Sequence, residues 1–211
     1  QKKLTSNALS RMRLLKEINR QNVDFASMTN IISSDTNLVH KLLTYINSAG
    51  IGLLNHVSNL KQATVLLGAS GVKRWVTLIS LQTFSEDKPP ELFTLSLLRA
   101  KFCELIAGEL KRPGLTQDAG FLIGMFSLLD VLLMLPMEEV LKEVALADDL
   151  NAALLGEDND LRRILDLVIA YEKGDWDKVI ACCEREHIPV DHLKPKYDAV
   201  LEWYNALQSV S

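Results

Sequence analysis

Residues 119–136 read AGFLIGMFSLLDVLLMLP, the most apolar run in the chain, with Asp130 as its one charged residue. A bilayer-spanning helix needs about 20 apolar residues. This run is shorter, holds Asp130 and is stopped by Pro136. It therefore reads as a buried helix, the central rod of the fold. Its neighbours are amphipathic, as helices packed around such a rod must be. Thr116 is its expected N-cap.

Working outward from the rod, apolar spacings of three and four recur through the chain and predict helices. On the N-terminal side, Leu4, Ala8, Met12, Leu15 and Ile18 share one face. Asp24 is placed to cap a short helix through Ile32, and Asp35 to cap one carrying Leu38, Leu42, Leu43 and Ile46. A carboxylate at such a position accepts from free first-turn amides. That helix is expected to end at residues 47–50, with Gly50 left-handed. Ser58 is the next expected cap, Gly68 the end of the helix that follows, and Ser70 or Gly71 the start of another. The segment EDKPPE at 86–91 reads as a linker. A long helix at about 91–111 has Leu95, Leu98, Phe102, Leu105 and Ile106 as its expected buried stripe, and Arg112-Pro113-Gly114 ends it.

Beyond Pro136 the predicted helices are short: 137–144, one capped by Asp148 or Asp149, 161–173 capped by Asp158 or Asp160, 176–186 capped by Asp175, and 189–207. No window shows period-two alternation with turn chemistry. The expected fold is all-α: one compact domain over 1–211 with about 10–12 helices and no sheet. Its expected parts are an N-terminal half at 4–85, the linker, central helices at 92–135 and short helices at 137–208.

Composition bounds the function classes. The chain has 211 residues, 48% hydrophobic and 24% charged, with a formal net charge of −4. A negative balance argues against a dedicated nucleic-acid binder, whose affinity comes from neutralising phosphates. Three cysteines, Cys103, Cys182 and Cys183, are an odd number with two adjacent, which suits a reducing cytoplasm better than a disulfide framework. The chain begins at Gln1 rather than methionine, so it reads as part of a longer protein with domains before it.

Residues 31–75, IISSDTNLVHKLLTYINSAGIGLLNHVSNLKQATVLLGASGVKRW, carry a family resemblance. Asp35, Lys41-Leu42-Leu43, Asn47-Ser48-Ala49, Ser58, Gln62-Ala63, Leu67-Gly68 and Lys73-Arg74-Trp75 stand in a spacing that resembles the HDOD domain, the HD-related output domain of bacterial signalling proteins. Arg99-Ala100, Cys103-Glu104 and the FLIGMFSLLD run continue the similarity. Residues 171–176, YEKGDW, resemble the tail of the subset that follows an EAL cyclic-di-GMP phosphodiesterase domain. The resemblance implies a helical scaffold related to HD-domain phosphohydrolases. It also implies a signal-transduction role beside an EAL or receiver domain.

HD enzymes hold a divalent metal through histidines and an adjacent His-Asp pair. The matching dipeptide here is Ser127-Leu128, a poor ligand followed by none. Asp130 lies two residues beyond Leu128, rotated by about 200° on a helix. His40, His56, His187 and His192 show no helical ligand spacing, although His40 lies inside the signature segment. No catalytic, metal or cofactor-binding residue is therefore assigned, and no cofactor is expected. Cys103 reads as a buried hydrophobe. Acidic pairs such as Asp148-Asp149 read as caps and solvated faces. Lys73, Arg74, Trp75 and Arg99 form the candidate interaction patch, with Trp75 expected to face the core. Asp35, Asn47, Ser48, Gln62 and Gly68 are the expected structural signature, with Asn47 and Gln62 bonding helix ends.

The expected function is a non-catalytic regulatory module that binds a protein partner. Neither nucleic acid nor membrane is an expected partner, and exposed leucines in the first and last helices leave room for a homodimer. Two alternatives stand beside it. One is a nucleotide or small-anion sensor using Lys73, Arg74 and Arg99. The other is a degenerate metal phosphohydrolase in which His40, His56 and Asp130 converge.

Overall fold

The computed structural model describes residues 6–19, 24–47 and 56–208. Among them are twelve α-helices and one 3-10 turn, with no strand. The first four helices are α1 (Ser6–Asn19), α2 (Phe25–Ser33), α3 (Thr36–Ile46) and α4 (Leu60–Phe84). The middle of the chain forms α5 (Pro90–Leu110), α6 (Gln117–Phe126), α7 (Leu129–Leu133), α8 (Met137–Val144) and α9 (Asp148–Leu154). Last come α10 (Asp160–Lys173), α11 (Trp176–Glu186), the 3-10 turn Val190–His192 and α12 (Leu193–Gln208). No helix among the described residues is long and apolar enough to cross a membrane, and the chain turns by 116° between the 117–133 segment and α8.

Local chemistry places most helix starts. Asp24 accepts from the Ser27 amide at 2.6 Å, Asp35 from Asn37 and Leu38, Thr116 from Ala119 and Asp175 from Lys178. Three expected caps shift. Asn59, not Ser58, caps α4 by accepting from the Gln62 amide, and Asn159, not Asp158 or Asp160, caps α10. α9 begins after Ala147 with no side-chain cap. Asparagine and aspartate are near-equal caps, so neighbouring polar residues compete and only backbone placement selects one. Gly50 and Ser48 lie outside the described residues. Pro90 begins α5, where its missing N–H costs nothing.

Gly68 lies within α4 at φ 65°, ψ 178° and kinks it, so the expected end and restart become one bent element. An L side chain is strained in that conformation by its own backbone. Asn47 closes the loop after α3. Its amide donates to the Leu43 and Val57 carbonyls at 2.8 Å, and its carbonyl accepts from the Val57 amide at 2.7 Å. Gln62 stays exposed within the α4 cap rather than joining helices.

The central rod is a correction. Residues 117–133 are not one helix: Ser127 and Leu128 separate α6 from α7. The Ser127 hydroxyl donates to the Gly124 carbonyl at 2.7 Å, competing with the backbone ladder there. The axial role passes to α5, which packs on α6, α10 and α12, while α4 gathers α1, α2 and α3. The α5 stripe also shifts. Leu95, Leu98 and Leu105 are half-buried, whereas Leu97, Arg99, Ala100, Phe102, Cys103, Glu104, Ile106 and Ala107 are buried. Glycines bring α5 and α6 together. A Cβ on Gly124 would lie 2.5 Å from backbone atoms of Arg99 and Ala100, and one on Gly120 would lie 2.7 Å from the Cys103 carbonyl oxygen and the Ala107 Cβ.

Candidate functional site

The α5–α6 contact sets the position of Arg99. With Gly124 bare, the α6 backbone approaches α5 closely enough for Ser127 to face the guanidinium. Arg99 Nη1 donates to the Ser127 hydroxyl at 3.2 Å. Arg99 Nε donates to both carboxylate oxygens of Glu172, at 2.8 and 3.1 Å. Glu172 arrives from α10, 73 residues away. The two side chains are only 10% and 14% exposed, so this is a nearly dry ion pair. Burial pushes the Glu172 carboxyl above its usual range despite the attraction of Arg99. Desolvation thus outweighs the Coulombic gain, a common outcome for buried pairs.

Ser127, the first residue of the dipeptide that the resemblance sets against the metal pair of HD enzymes, is the C-cap of α6. It is already engaged, as acceptor to a fixed cation and donor to Gly124. Leu128 supplies no ligand atom. Among the described residues no three His, Cys, Asp or Glu side chains are grouped to hold a metal ion, so His40, His56 and Asp130 do not form such a set. Cys103, one turn along α5 from Arg99, is fully enclosed, and burial beside Glu172 pushes its thiol far up. A protonated thiol without access is no nucleophile.

The four residues of the candidate patch do not share one surface. Trp75 is fully buried. Arg74 Nη1 lies 2.7 Å from Glu104 and 3.4 Å from Asp118, with its guanidinium carbon 4.0 Å above the Phe121 ring. Buried Glu104 also binds Lys101 at 2.8 Å. Arg99 is held as described, and Lys73 is half-buried. Both arginines are therefore committed to internal carboxylates. An anion in the place foreseen for Lys73, Arg74 and Arg99 would have to displace Glu104 or Glu172.

The YEKGDW segment is distributed over several structural tasks. Tyr171 packs edge-on against buried Phe102 at 5.3 Å and meets Trp176 at 5.6 Å, Glu172 pairs with Arg99, Gly174 is left-handed at the end of α10, and Asp175 caps α11. Trp176 is 56% exposed. Further along, buried Glu186 binds Arg112 at 2.7 Å, which fastens α11 to the end of α5. Burial opposes the charge on Glu109, but hydrogen bonds from Lys196 and His192 outweigh it and hold that carboxyl below its usual range.

Fold and site define an all-helical module with a nearly dry arginine–glutamate pair joining α5 to α10. The chain belongs to the HDOD domain family, whose model matches residues 5–154. Glu172, the counter-charge, comes from beyond that segment. The chain is similar to the uncharacterized protein YuxH of Bacillus subtilis (strain 168), 34% identical over 209 residues, covering 97% of this chain and 50% of that protein. It is also similar to the cyclic di-GMP phosphodiesterase CdgJ of Vibrio cholerae serotype O1, 36% identical over 172 residues, covering 82% of this chain and 40% of that protein. The chain thus spans half or less of these curated relatives. A solved structure from Marinobacter aquaeolei VT8, of a protein provisionally described as acting in signal transduction, shares the fold. Its TM-score is 0.66 at 13% identity, over 98% of this chain and 58% of that one.

Proposed function

We propose that this chain is a non-catalytic regulatory module of cytoplasmic signal transduction, acting by protein–protein contact on a domain that turns over cyclic di-GMP. The observation that carries the reading is the Arg99 guanidinium against Ser127, 3.2 Å from its hydroxyl. A fixed cation at that position repels a divalent metal, and Glu172, the carboxylate paired with Arg99, is spent on neutralising the guanidinium. The partner class is supported by the 36% likeness to a cyclic di-GMP phosphodiesterase of which this chain covers 40%. The remainder of such a protein is the natural object of regulation, whether an EAL domain joined in the same chain or one met in trans.

The test is cyclic di-GMP turnover by the full-length natural protein, measured with residues 1–211 present, deleted, and added back as a separate chain. Regulation predicts a change of several-fold in rate or substrate affinity on deletion. An unchanged profile in all three preparations would remove the reading.

A further inference from the structure

A second feature lies apart from Arg99 and Ser127. α3, the second half of α4, the start of α5 and the end of α12 enclose an open cleft of about 920 Å³. That is at the upper end of the range for small-molecule sites. Its deep wall is apolar, with Leu78 and Ile79 from α4 and Leu97 from α5. Three rings face the cleft from separate helices: Tyr45, Phe93 and Tyr204. They are only partly buried, so each keeps surface that a flat ligand can cover. Tyr204 is fixed by a 2.9 Å hydrogen bond between its hydroxyl and that of Thr94.

The polar lining is unbalanced. Lys41, Lys88 and His40 contribute basic or donor groups, against a single lining carboxylate, Glu86. Lys88 is neutralised by Asp87 at 2.5 Å. Lys41 is half-buried on α3, and no described carboxylate comes within ion-pair distance of it. Lys41 is thus a half-buried cation with no ion-pair partner among the described residues, placed beside three aromatic rings. Gln82, Asn37 and Thr44 add amide and hydroxyl groups around the same opening.

We propose that this cleft binds a purine nucleotide, with the heterocycle against Phe93, Tyr45 or Tyr204 and the phosphate at Lys41 and His40. Ring stacking on aromatic side chains, cationic contact to phosphate and amides for a base edge are the three chemistries nucleotide recognition needs. All three converge here from four helices. The site is separate from Arg99 and Glu172, and it would give the module a small-molecule input.

Calorimetry on the 211-residue chain tests this, with GMP, AMP and inorganic phosphate as probes. At least one nucleotide should bind at submillimolar concentration, and phosphate at least about tenfold more weakly. Lys41→Glu places a negative charge at a half-buried position of α3 and should weaken binding by about tenfold or more. Gln82→Trp, from an exposed position, fills the cleft and should abolish binding. Thermal midpoints of both variants should stay near that of the parent. If Lys41→Glu fails to fold, Gln82→Trp decides alone. The proposal is overturned by no heat from either nucleotide, by phosphate binding as tightly as GMP and AMP, or by unchanged affinity in the folded variants.

Discussion

Replacing Glu172 and replacing Arg99 should cost stability unequally, and the difference should depend on pH. Glu172→Ala leaves a guanidinium that is 10% exposed with only Ser127 as a described partner. Arginine keeps its proton throughout the accessible range, so the stranded charge cannot be neutralised. Breaking a buried pair in this way costs about 3–5 kcal/mol, and the residual exposure argues for the lower end, about 3 kcal/mol. For a chain of this size that is a fall of about 6–12 °C in melting temperature. Arg99→Met strands the carboxyl instead, and a carboxyl has an exit: it takes up a proton. Burial already holds Glu172 above the ordinary glutamate value of 4.5 in the intact protein. Removing the cation, the second-largest influence and a lowering one, raises it further.

An acid whose folded value lies above its unfolded value contributes stability that is complete below the unfolded value. That contribution is lost as pH rises through the folded value. The Arg99→Met deficit should therefore be large near neutrality and shrink on acidification toward 4.5, by up to about 1.4 kcal/mol per pH unit within the window. The Glu172→Ala deficit, measured against a parent in which Glu172 itself titrates, should not shrink in that way. Urea midpoints for both variants at about pH 5 and about pH 7.5 decide it. Equal deficits with no pH dependence in either would refute the picture of a dry pair with one titratable partner.

Gly124→Ala should destabilise by about 1–3 kcal/mol or more, because its Cβ meets backbone atoms at 2.5 Å that no side-chain rotation can move; a thermal melt within experimental error of the parent would contradict the close α5–α6 contact. Asn47→Ala removes three hydrogen bonds and should cost about 2–3 kcal/mol by chemical denaturation, whereas Gln62→Ala, at an exposed position with one long side-chain contact, should cost under about 1 kcal/mol. Gly68→Ala should cost about 1–3 kcal/mol from backbone strain alone, since nothing lies within 4 Å of the new Cβ, and circular dichroism should show the helical content retained.

Helix type and approximate order were legible in the sequence because amphipathic spacing and polar caps are local signals. Asp24, Asp35, Thr116 and Asp175 precede apolar-periodic runs, and each accepts from the first turn of its helix. The break at Ser127 was not legible. A continuous apolar run carries no glycine or proline there, and the hydroxyl that bends it does so through a contact with Gly124 and a cation on another helix. From the sequence, Arg99 reads as a member of the candidate interaction patch, and charged residues are usually exposed. Its burial depends on Glu172, and no local pattern announces a partner 73 residues away. The cleft was missed for a similar reason. Its rings and lysine come from helices whose apposition is a tertiary fact, and the signature segment holds only part of the lining, His40, Lys41 and Tyr45.

In the proposed module, the position that the HD resemblance marks for a metal is filled by the chain's own side chains. The most direct measurement is the manganese content of the 211-residue chain after equilibration with Mn²⁺ and removal of free ion. The Arg99–Ser127–Glu172 arrangement predicts well below one ion retained per chain, in the parent and in Ser127→Ala alike. One tightly held ion per chain, lost on the Ser127 change, would contradict it.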